Sequence, residues 1–381
     1  MIPLTLRVNL CILLKALSEN AFRNIQKMRS KNHPPTIADV AERAGVSIAT
    51  VSRVLNGTVP VKPDKAEHVR LAMEELKFVP RAAARVLASR KTNTIGLILS
   101  EIGGAFFPHL LTGIAAEARV TGYELLIHST QGAHAHQRKP LGEHNTDGLL
   151  VFTSSLEISE LYRLESINFP VVLMHQTPPD GLNIPVITIE NKDGAEMLVN
   201  HLIEKHQRRR IVYMQGPEGH EDSQWRERGY RQALEKHDIP FDPRLVVVGG
   251  FEEEQAFVTV QQLLADGTEF DAIFAGDDDT AMGVYRALKM AGRVIPRDVA
   301  VVGFDDVQFA RYISPALTTV RAPIEEVGRE AVRQLAKLMN GEQAQALTLM
   351  RTELVIRESC GCPQGSSESN PSDEFLSSTR R

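Results

Sequence analysis

The feature that most constrains this chain is the stretch TIADVAERAGVSIATVSRVLN, which occupies residues 36–56. It contains two short runs of helical apolar spacing, separated by a Gly-Val-Ser turn. Thr36 and Ser47 are placed to cap the two runs, and Gly45 offers the left-handed backbone with which helices often end. The pattern predicts a helix-turn-helix, in which the second helix enters the major groove of DNA.

The second predicted helix has two chemically different faces. Spacings of three and four residues put Val51, Val54 and Leu55 on its inner face. The outer face then carries Ile48, Ala49, Ser52, Arg53 and Asn56. Any two amphipathic helices joined by a glycine turn share this pattern, so the rest of the chain has to decide between a DNA-binding role and a structural one.

Charge is distributed unevenly along the chain, whose net charge is −5. Residues 28–91 contain 12 Lys and Arg against 6 Asp and Glu, and residues 1–27 contain 4 against 1. The remaining residues contain 27 against 41. A basic amino-terminal module on an acidic body favours a polyanionic partner that contacts only that module.

Cysteines and apolar segments bear on where the chain works. Cys11, Cys360 and Cys362 lie near the ends and cannot cross-link a core, which indicates the reducing cytoplasm. The Cys-Gly-Cys pair has no histidine near it in sequence, so we interpret it as a spectator and expect no metal and no cofactor. The apolar run 2–14 is too short for a membrane span and lacks a clean signal-peptide pattern. We expect no membrane partner, and we interpret residues 1–35 as a poorly ordered extension.

Two further segments complete the amino-terminal module. Pro63 is placed to begin a third helix, so residues 36–80 form a three-helix headpiece. Residues 81–91 contain alanines that favour a helix, yet they offer no core against which Leu87 can be buried. They are either a plain linker or a hinge helix that folds on DNA and inserts Leu87 into the minor groove.

From residue 92 onward, strand and helix patterns alternate. Short apolar runs typical of buried parallel strands lie at 95–99, 125–128, 148–152, 171–175, 211–215, 245–248, 272–275 and 299–304. Helical runs lie at 110–121, 193–206, 223–237, 254–265, 279–291 and 325–340. The fold class is therefore α/β, with a doubly wound body at 92–357 that is long enough for two lobes and a cleft. Residues 358–381 are rich in Ser, Gly and Pro and are expected to form a disordered tail.

Motifs in both modules resemble those of the lactose-repressor (LacI/GalR) family of bacterial transcription regulators. They are TIADVAERAGVSIATVSRVLNG, FVPRAAARVLASRKTNTIGLIL, FFPHLLTGI, NTDGLLV, RERGYRQAL, GDDDTAMGVYRAL, IPRDVAVVGFDD and SPALTTV. The resemblance implies a homodimeric repressor that binds a palindromic operator. It also implies a body like a periplasmic sugar-binding protein, in which a sugar-like effector changes the affinity for operator DNA.

The resemblance also implies roles for individual headpiece residues. Ile48 and Ala49 stand where this family sets base specificity, but they offer only packing, for instance against a thymine methyl group. Arg53 is the expected guanine contact, and Leu87 the expected minor-groove contact. Thr50, Ser52 and Asn56 are expected to bond phosphates. The predicted DNA-contacting set is completed by Thr36 and Ala84.

The third helix departs from the family pattern at its start. Lys62 replaces a serine cap, and Lys65-Ala66 replaces a Thr-Arg pair. The lysines can still neutralise phosphate, and Asp64 is a candidate substitute for the cap.

Two acidic clusters follow strand candidates of the body, where ligands bind in open α/β sheets. Asp277, Asp278 and Asp279 follow the strand at 272–275, whereas Asp305 and Asp306 follow the strand at 299–304. We interpret Asp278 and Asp306 as helix N-caps. Consecutive helical residues point apart, so the triplet is a poor metal site.

Five residues form the predicted effector site. By resemblance, Arg226, Asp277 and Asp305 are its polar ligands, and Phe251 occupies an aromatic position. Phe106 can stack on an apolar sugar face. The family usually has asparagine at 277; an ionised aspartate only accepts hydrogen bonds, which favours hydroxyl-rich or cationic groups over phosphate.

Two other functions are weighed against the repressor. A doubly wound sugar-active enzyme is disfavoured because the body shows no dinucleotide-binding glycine motif, P-loop or G-x-S-x-G. A periplasmic-type sugar-binding protein is disfavoured by the basic headpiece and the missing signal peptide. The His-rich segment 131–145, which Pro140 interrupts, is interpreted as a solvated loop.

Overall fold

The computed structural model describes residues 35–56, 59–78, 91–100, 102–130 and 141–363. The chain divides into two compact units, residues 1–90 and residues 91–381. The predicted DNA contacts Ala84 and Leu87 lie outside the described residues, as do the extension 1–34 and most of the His-rich segment. Among the described helices, none has the length and apolar character that crossing a membrane requires.

The first unit contains three short helices, namely α1 (Ile37–Ala44), α2 (Ile48–Asn56) and α3 (Pro63–Glu75). Each helix buries apolar side chains in one small core, formed by Val40, Ala41, Val51, Val69 and Ala72. The predicted helix-turn-helix and third helix are thus present.

Local hydrogen bonds explain where α1 and α2 begin and end. Thr36 Oγ1 accepts a hydrogen bond from the Asp39 amide (3.4 Å), and the Asp39 carboxylate accepts one from the Thr36 amide (2.7 Å). This reciprocal pair is a capping box. Gly45 ends α1 with a φ of 67°, and Ser47 Oγ accepts from the Thr50 amide at 3.2 Å.

Helix α3 begins differently from the prediction. Its N-cap is Lys62, no side chain makes a capping hydrogen bond, and Asp64 lies inside the first turn. The substitute cap suggested for Asp64 is therefore wrong. Pro63 at the first helical position lacks an N–H, which removes one of the donors that a cap would satisfy.

The first lobe of the second unit is built on a six-stranded parallel sheet. Its strands are β1 (Thr94–Leu99), β2 (Glu124–Ser129), β3 (Gly148–Phe152), β4 (Val171–Met174), β5 (Val186–Ile189) and β11 (Leu347–Met350), in the spatial order β11-β5-β4-β3-β1-β2. Helices α4 (Phe106–Thr121) and α10 (Ile324–Met339) cover one face, and α5 (Ile158–Ser166) packs on the other.

The second lobe is built on a four-stranded parallel sheet. Its strands are β6 (Ile211–Gln215), β7 (Val246–Val248), β8 (Ala272–Phe274) and β9 (Ala300–Val302), in the order β7-β6-β8-β9. Helices α6 (Asn191–His206) and α7 (Glu221–Lys236) pack on one face, and α8 (Glu253–Ala265) and α9 (Asp278–Met290) on the other. Two short 3-10 helices lie at Pro243–Leu245 and Gln308–Arg311.

Three chain segments connect the two lobes. The first lies between β5 and α6, the second between β10 (Thr319–Arg321) and α10, and the third between β11 and β12 (Glu353–Val355). Strands β10 and β12 pair antiparallel. Two doubly wound lobes joined in this way confirm the predicted α/β body.

The body extends beyond its predicted end. Ser359 and Cys360 are fully buried, and Ser359 Oγ donates a hydrogen bond to the Val301 carbonyl at 2.6 Å. The Ser359 amide also donates to the Ala316 carbonyl. The prediction that a disordered tail begins at residue 358 is therefore wrong for residues 358–363, because these bonds fix the segment beside β9.

Helices α4 and α10 approach closely at Gly113. A Cβ atom placed there would lie 1.9 Å from the Glu325 carbonyl oxygen. Gly113→Ala is expected to lower the free energy of unfolding by about 1–3 kcal/mol, because this clash outweighs the better helix propensity of alanine. Urea denaturation measures the change. Thr112→Ala, on the exposed side of the same turn, should stay within about 0.5 kcal/mol of the wild type. Equal stabilities of the two variants would contradict the packing argument.

Candidate functional site

Helix α2 separates its apolar side chains from its outward ones. Val51 is fully buried, and Val54 and Leu55 pack against the headpiece core. Ile48 is 51% exposed. This agrees with the predicted inner and outer faces.

The predicted DNA-contacting residues of α2 differ in how far they are exposed to solvent. Ala49 and Arg53 are exposed, whereas Thr50 and Ser52 are half-buried. The Thr50 hydroxyl lies 2.9 Å from the Ser47 hydroxyl at the start of the helix. Asn56 is the last residue of α2, and its side chain is outside the part of the chain that the structure describes. The solvent-facing surface of α2 thus combines the apolar side chains of Ile48 and Ala49 with the cationic side chain of Arg53.

A cavity of about 110 Å³ lies between the two lobes of the second unit. The five predicted effector residues, Phe106, Arg226, Phe251, Asp277 and Asp305, all line it. They follow β1, β6, β7, β8 and β9 in turn, so each lies beyond the carboxyl end of a parallel strand. Ligands of open α/β sheets bind at this edge.

The buried guanidinium of Arg226 is the centre of the polar network. It donates to Asn191 Oδ1 (2.9 Å), to the Gly276 carbonyl oxygen (2.7 Å) and to Asp305 Oδ1 (3.4 Å). Its Cζ atom lies 3.8 Å from the centroid of the Phe304 ring. Contacts in four directions fix the orientation of this cation inside the cavity wall.

Asp277 combines a structural role with an unusual titration. Its carboxylate accepts a hydrogen bond from the Thr280 amide at 2.8 Å and caps α9. Burial and, to a smaller extent, the negative charge of Asp305 together raise the pKa of Asp277 to about 7. The pKa of Asp305 is also raised, mainly by burial, although the charge of Arg226 opposes this shift.

The N-cap roles predicted for Asp278 and Asp306 are wrong. Asp278 is the first residue of α9, and its carboxylate accepts hydrogen bonds from the Val307 amide (2.9 Å) and from Thr319 Oγ1 (2.6 Å). Asp306 instead pairs with Arg321 at 2.8 Å. Asp277, which has an extended backbone, already occupies the N-cap position of α9. The Asp278 side chain therefore points into the lobe.

A buried pair beside the cavity, of which Asp222 lines the wall, joins the two lobes. His175, after β4 of the first lobe, has its Nδ1 atom 2.7 Å from Asp222 Oδ2 in α7 of the second. Asn191 Nδ2 donates to the other carboxylate oxygen at 2.8 Å. Burial alone would raise the pKa of Asp222, but His175, hydrogen bonding and Arg226 lower it to about 2. Asp222 is therefore an ionised acceptor held from both lobes.

Two additional contacts cross the cleft. The backbone amide of Ala105, just before α4, donates to Asp279 Oδ2 at 2.8 Å. Thr177 donates through its amide (2.5 Å) and its hydroxyl to the carboxylate of Glu221. The described conformation is one in which the lobes are closed on each other.

Aromatic rings cover the rest of the cavity wall. Phe106 contacts His175 at a centroid distance of 5.7 Å, and His220 lies edge-on to Phe251 at 5.1 Å. Burial lowers the pKa of His220 to about 4, so its ring is neutral at pH 7. The cavity thus pairs carboxylates with flat apolar faces.

Each of the two units matches a known protein family. The family model of bacterial regulatory proteins of the lacI family matches residues 36–81. The family model of a periplasmic binding protein-like domain matches residues 199–360. The ribose operon repressor of Halalkalibacterium halodurans is 33% identical over 327 residues, which span 85% of this chain and 96% of that repressor. The chain belongs to the LacI family of bacterial transcriptional regulators.

Solved structures of similar proteins support the same fold for this LacI-family regulator. A CelR–cellobiose complex has 31% sequence identity and a TM-score of 0.63, over 85% of this chain and 99% of the other. The Lac repressor dimer bound to operator and the anti-inducer ONPF has 26% identity and a TM-score of 0.74, over 86% and 99%. Both matches extend over the headpiece and the two-lobed body.

Sequence reasoning missed two residues that line the cavity of this LacI-family regulator, His220 and Asp222, and the acceptor role of Asp279. It also missed His175 and Asn191, the hydrogen-bond partners of Asp222. One available signal was the rule about carboxyl strand ends. His175 directly follows β4, and the loop after β6 carries His220. The lobe-to-lobe contacts had no such signal, because they join residues far apart in sequence.

Proposed function

We propose that this LacI-family regulator is a repressor that binds a palindromic operator as a homodimer. Its affinity for the operator is set by a neutral, hydroxyl-rich effector of the sugar class, bound between the lobes. The observation that carries the effector assignment is that five residues expected to bind it line one cavity.

The outward face of α2 supports the DNA assignment. Arg53 offers a bidentate donor to guanine, while Ile48 and Ala49 offer packing against base edges. Thr36, Thr50, Ser52 and Asn56 are proposed to contact phosphates, with the basic headpiece supplying long-range attraction. Residues 81–91 are proposed as the hinge, with Ala84 and Leu87 at the minor groove.

Charge and shape support a neutral polyol over a phosphorylated ligand. Asp222, Asp277, Asp279 and Asp305 line the cavity with Arg226, so an additional anion would face mainly carboxylates. Hydroxyl groups can donate to these oxygens, and Phe106 and Phe251 can cover the apolar face of a sugar ring. Among the similar structures, CelR is described with cellobiose bound.

The size of the cavity ties ligand binding to lobe movement. At about 110 Å³ it is smaller than the roughly 300–1,000 Å³ of typical ligand pockets. A sugar therefore enters only when contacts such as Ala105–Asp279 open. An effector that favours one lobe arrangement can change operator affinity by a coupling of about 1–3 kcal/mol.

The same carboxylates favour binding over catalysis. Asp277 caps a helix, Asp279 holds the Ala105 amide, and Asp305 pairs with Arg226, so each has a structural partner. We therefore assign no enzymatic activity. Operator DNA as the partner places the protein in the cytoplasm.

Footprinting of the full chain on the DNA upstream of its own gene tests the repressor role. We expect protection of a pseudo-palindrome that weakens as the salt concentration rises.

A thermal-shift screen of neutral sugars, nucleosides and sugar phosphates then tests the effector class. A ligand at 100 times its Kd stabilises the native state by about 2.7 kcal/mol. Protection nowhere at low salt, or stabilisation by phosphorylated sugars alone, would contradict the proposal.

Arg53→Ala is expected to weaken operator binding by about 10- to 100-fold, since a bidentate base contact contributes about 1–3 kcal/mol. Fluorescence anisotropy with operator and with scrambled DNA measures the change, which should be smaller on the scrambled duplex. Arg70→Ala removes another exposed arginine of the headpiece, which pairs with Glu67 in α3, and serves as the matched control. Equal losses for both variants would mean that Arg53 provides only general charge.

A further inference from the structure

Two histidines and two cysteines converge where the end of the body meets helix α6. His201 lies on α6, and His206 is its last residue. Cys360 and Cys362 follow β12, and one ligand atom from each of the four residues lies within 4.8 Å of the others. The interpretation of the Cys-Gly-Cys pair as a spectator rested on the lack of a nearby histidine, and α6 supplies two of them.

Two sulfur-to-nitrogen distances in the cluster match those of a tetrahedral N/S site. Cys362 Sγ lies 3.3 Å from His206 Nε2 and 3.6 Å from His201 Nε2. Zinc bonds of about 2.3 Å to sulfur and 2.0–2.1 Å to nitrogen at tetrahedral angles place such atoms about 3.5 Å apart. The observed spacings are thus already close to those of a coordinated pair.

The backbone between the cysteines is shaped for this convergence. Gly361 has a φ of 116°, and a Cβ atom there would lie 3.0 Å from His206 Nδ1. A residue with a side chain would be strained in that conformation and would crowd the imidazole. Cys360 is fully buried and His201 is 4% exposed, whereas Cys362 and His206 are half-buried.

We propose that His201, His206, Cys360 and Cys362 bind one Zn²⁺ ion as a structural Cys₂His₂ site. Four N/S ligands without an open position are typical of structural zinc, and thiolates with imidazoles select zinc over the harder Mg²⁺ and Ca²⁺. On binding, both thiols lose their protons to solvent and both imidazoles bind as neutral rings. The ion would fasten the segment 358–363 to the last turns of α6.

The full-length protein, prepared with ZnCl₂ and then dialysed, tests the site by elemental analysis. We expect about one zinc per chain in the wild type and a loss of at least about tenfold in Cys362→Ser and in His206→Asn. Chelation should lower the Tm of the wild type by at least about 2 °C and leave the Tm of both variants unchanged.

Matched controls test the third cysteine and two histidines of the His-rich segment. Cys11→Ser, and the double variant His134→Gln with His136→Gln, should keep the zinc. Cobalt-substituted wild type should show thiolate-to-cobalt charge transfer and tetrahedral ligand-field bands, a signature that requires no variant to fold. Zinc-free wild type, zinc retained by both site variants, or a cobalt spectrum without thiolate bands would each overturn the proposal.

Discussion

Arg226→Met is expected to lower the free energy of unfolding by about 3–5 kcal/mol, the usual cost of removing one partner from a buried charge pair. The change leaves Asp305, Asn191 Oδ1 and the Gly276 carbonyl without the donor that they share. Urea denaturation of the effector-binding body measures the loss. The same variant should no longer be stabilised by the effector in a thermal-shift assay.

Two companion variants make this expectation specific. Arg228→Met removes an exposed guanidinium that lies 4.2 Å from the Trp225 ring on the same helix, and should cost less than about 1 kcal/mol. The double variant Arg226→Met with Asp305→Asn should recover part of the loss, because the uncompensated charge is gone. If Arg226→Met were as stable as Arg228→Met, the network would contribute nothing to folding.

Asp277→Asn is expected to stabilise the protein at pH 8, by on the order of 3 kcal/mol, and to have little effect at pH 4. Burial raises the pKa of Asp277 to about 7 in the folded chain, against an ordinary value of 3.8. Between these values the native state binds more protons than the unfolded state, so wild-type stability falls as pH rises through this window. Asparagine does not titrate and still caps the helix.

Urea denaturation at pH 4, 6 and 8 measures this difference, and Asp242→Asn is its control. Asp242 also caps a helix, but hydrogen bonds from Arg244 lower its pKa to about 2. Its contribution to stability is present above pH 4 and is lost as pH falls toward 2, so its replacement should destabilise at pH 8. A constant gain for Asp277→Asn across the pH range would show that its charge is not the cause.

The sequence predicted those elements whose signal is local. The capping residues of α1 and α2 lie beside the helices that they start, and the short apolar runs of β1, β3 and β6 correctly predicted buried strands. The position of site residues after strand ends followed from the topology of parallel sheets. Arg226 was assigned by family resemblance, and Phe106 by the general tendency of aromatic rings in pockets to stack on sugars, rather than by any local pattern.

Features that depend on distant partners were not predicted. Strand β5 and the exposed strand β11 pair with each other across about 160 residues of chain, and neither has a long apolar run. Asp278 was mistaken for a cap because its buried partner Thr319 lies in a later strand. The His-Cys cluster was missed for the same reason, since α6 and the residues after β12 meet only in the folded chain.

The separation of the two faces of helix α2 affects how the DNA-contacting surface of such a regulator can evolve. The side chains that hold the headpiece together, such as Val51, and those that face outward, such as Ile48, Ala49 and Arg53, occupy separate faces. Substitutions on the outward face therefore leave the small core intact and cost little folding free energy. If the proposed DNA contacts hold, operator preference can therefore change through substitutions on this face while the folded headpiece remains intact.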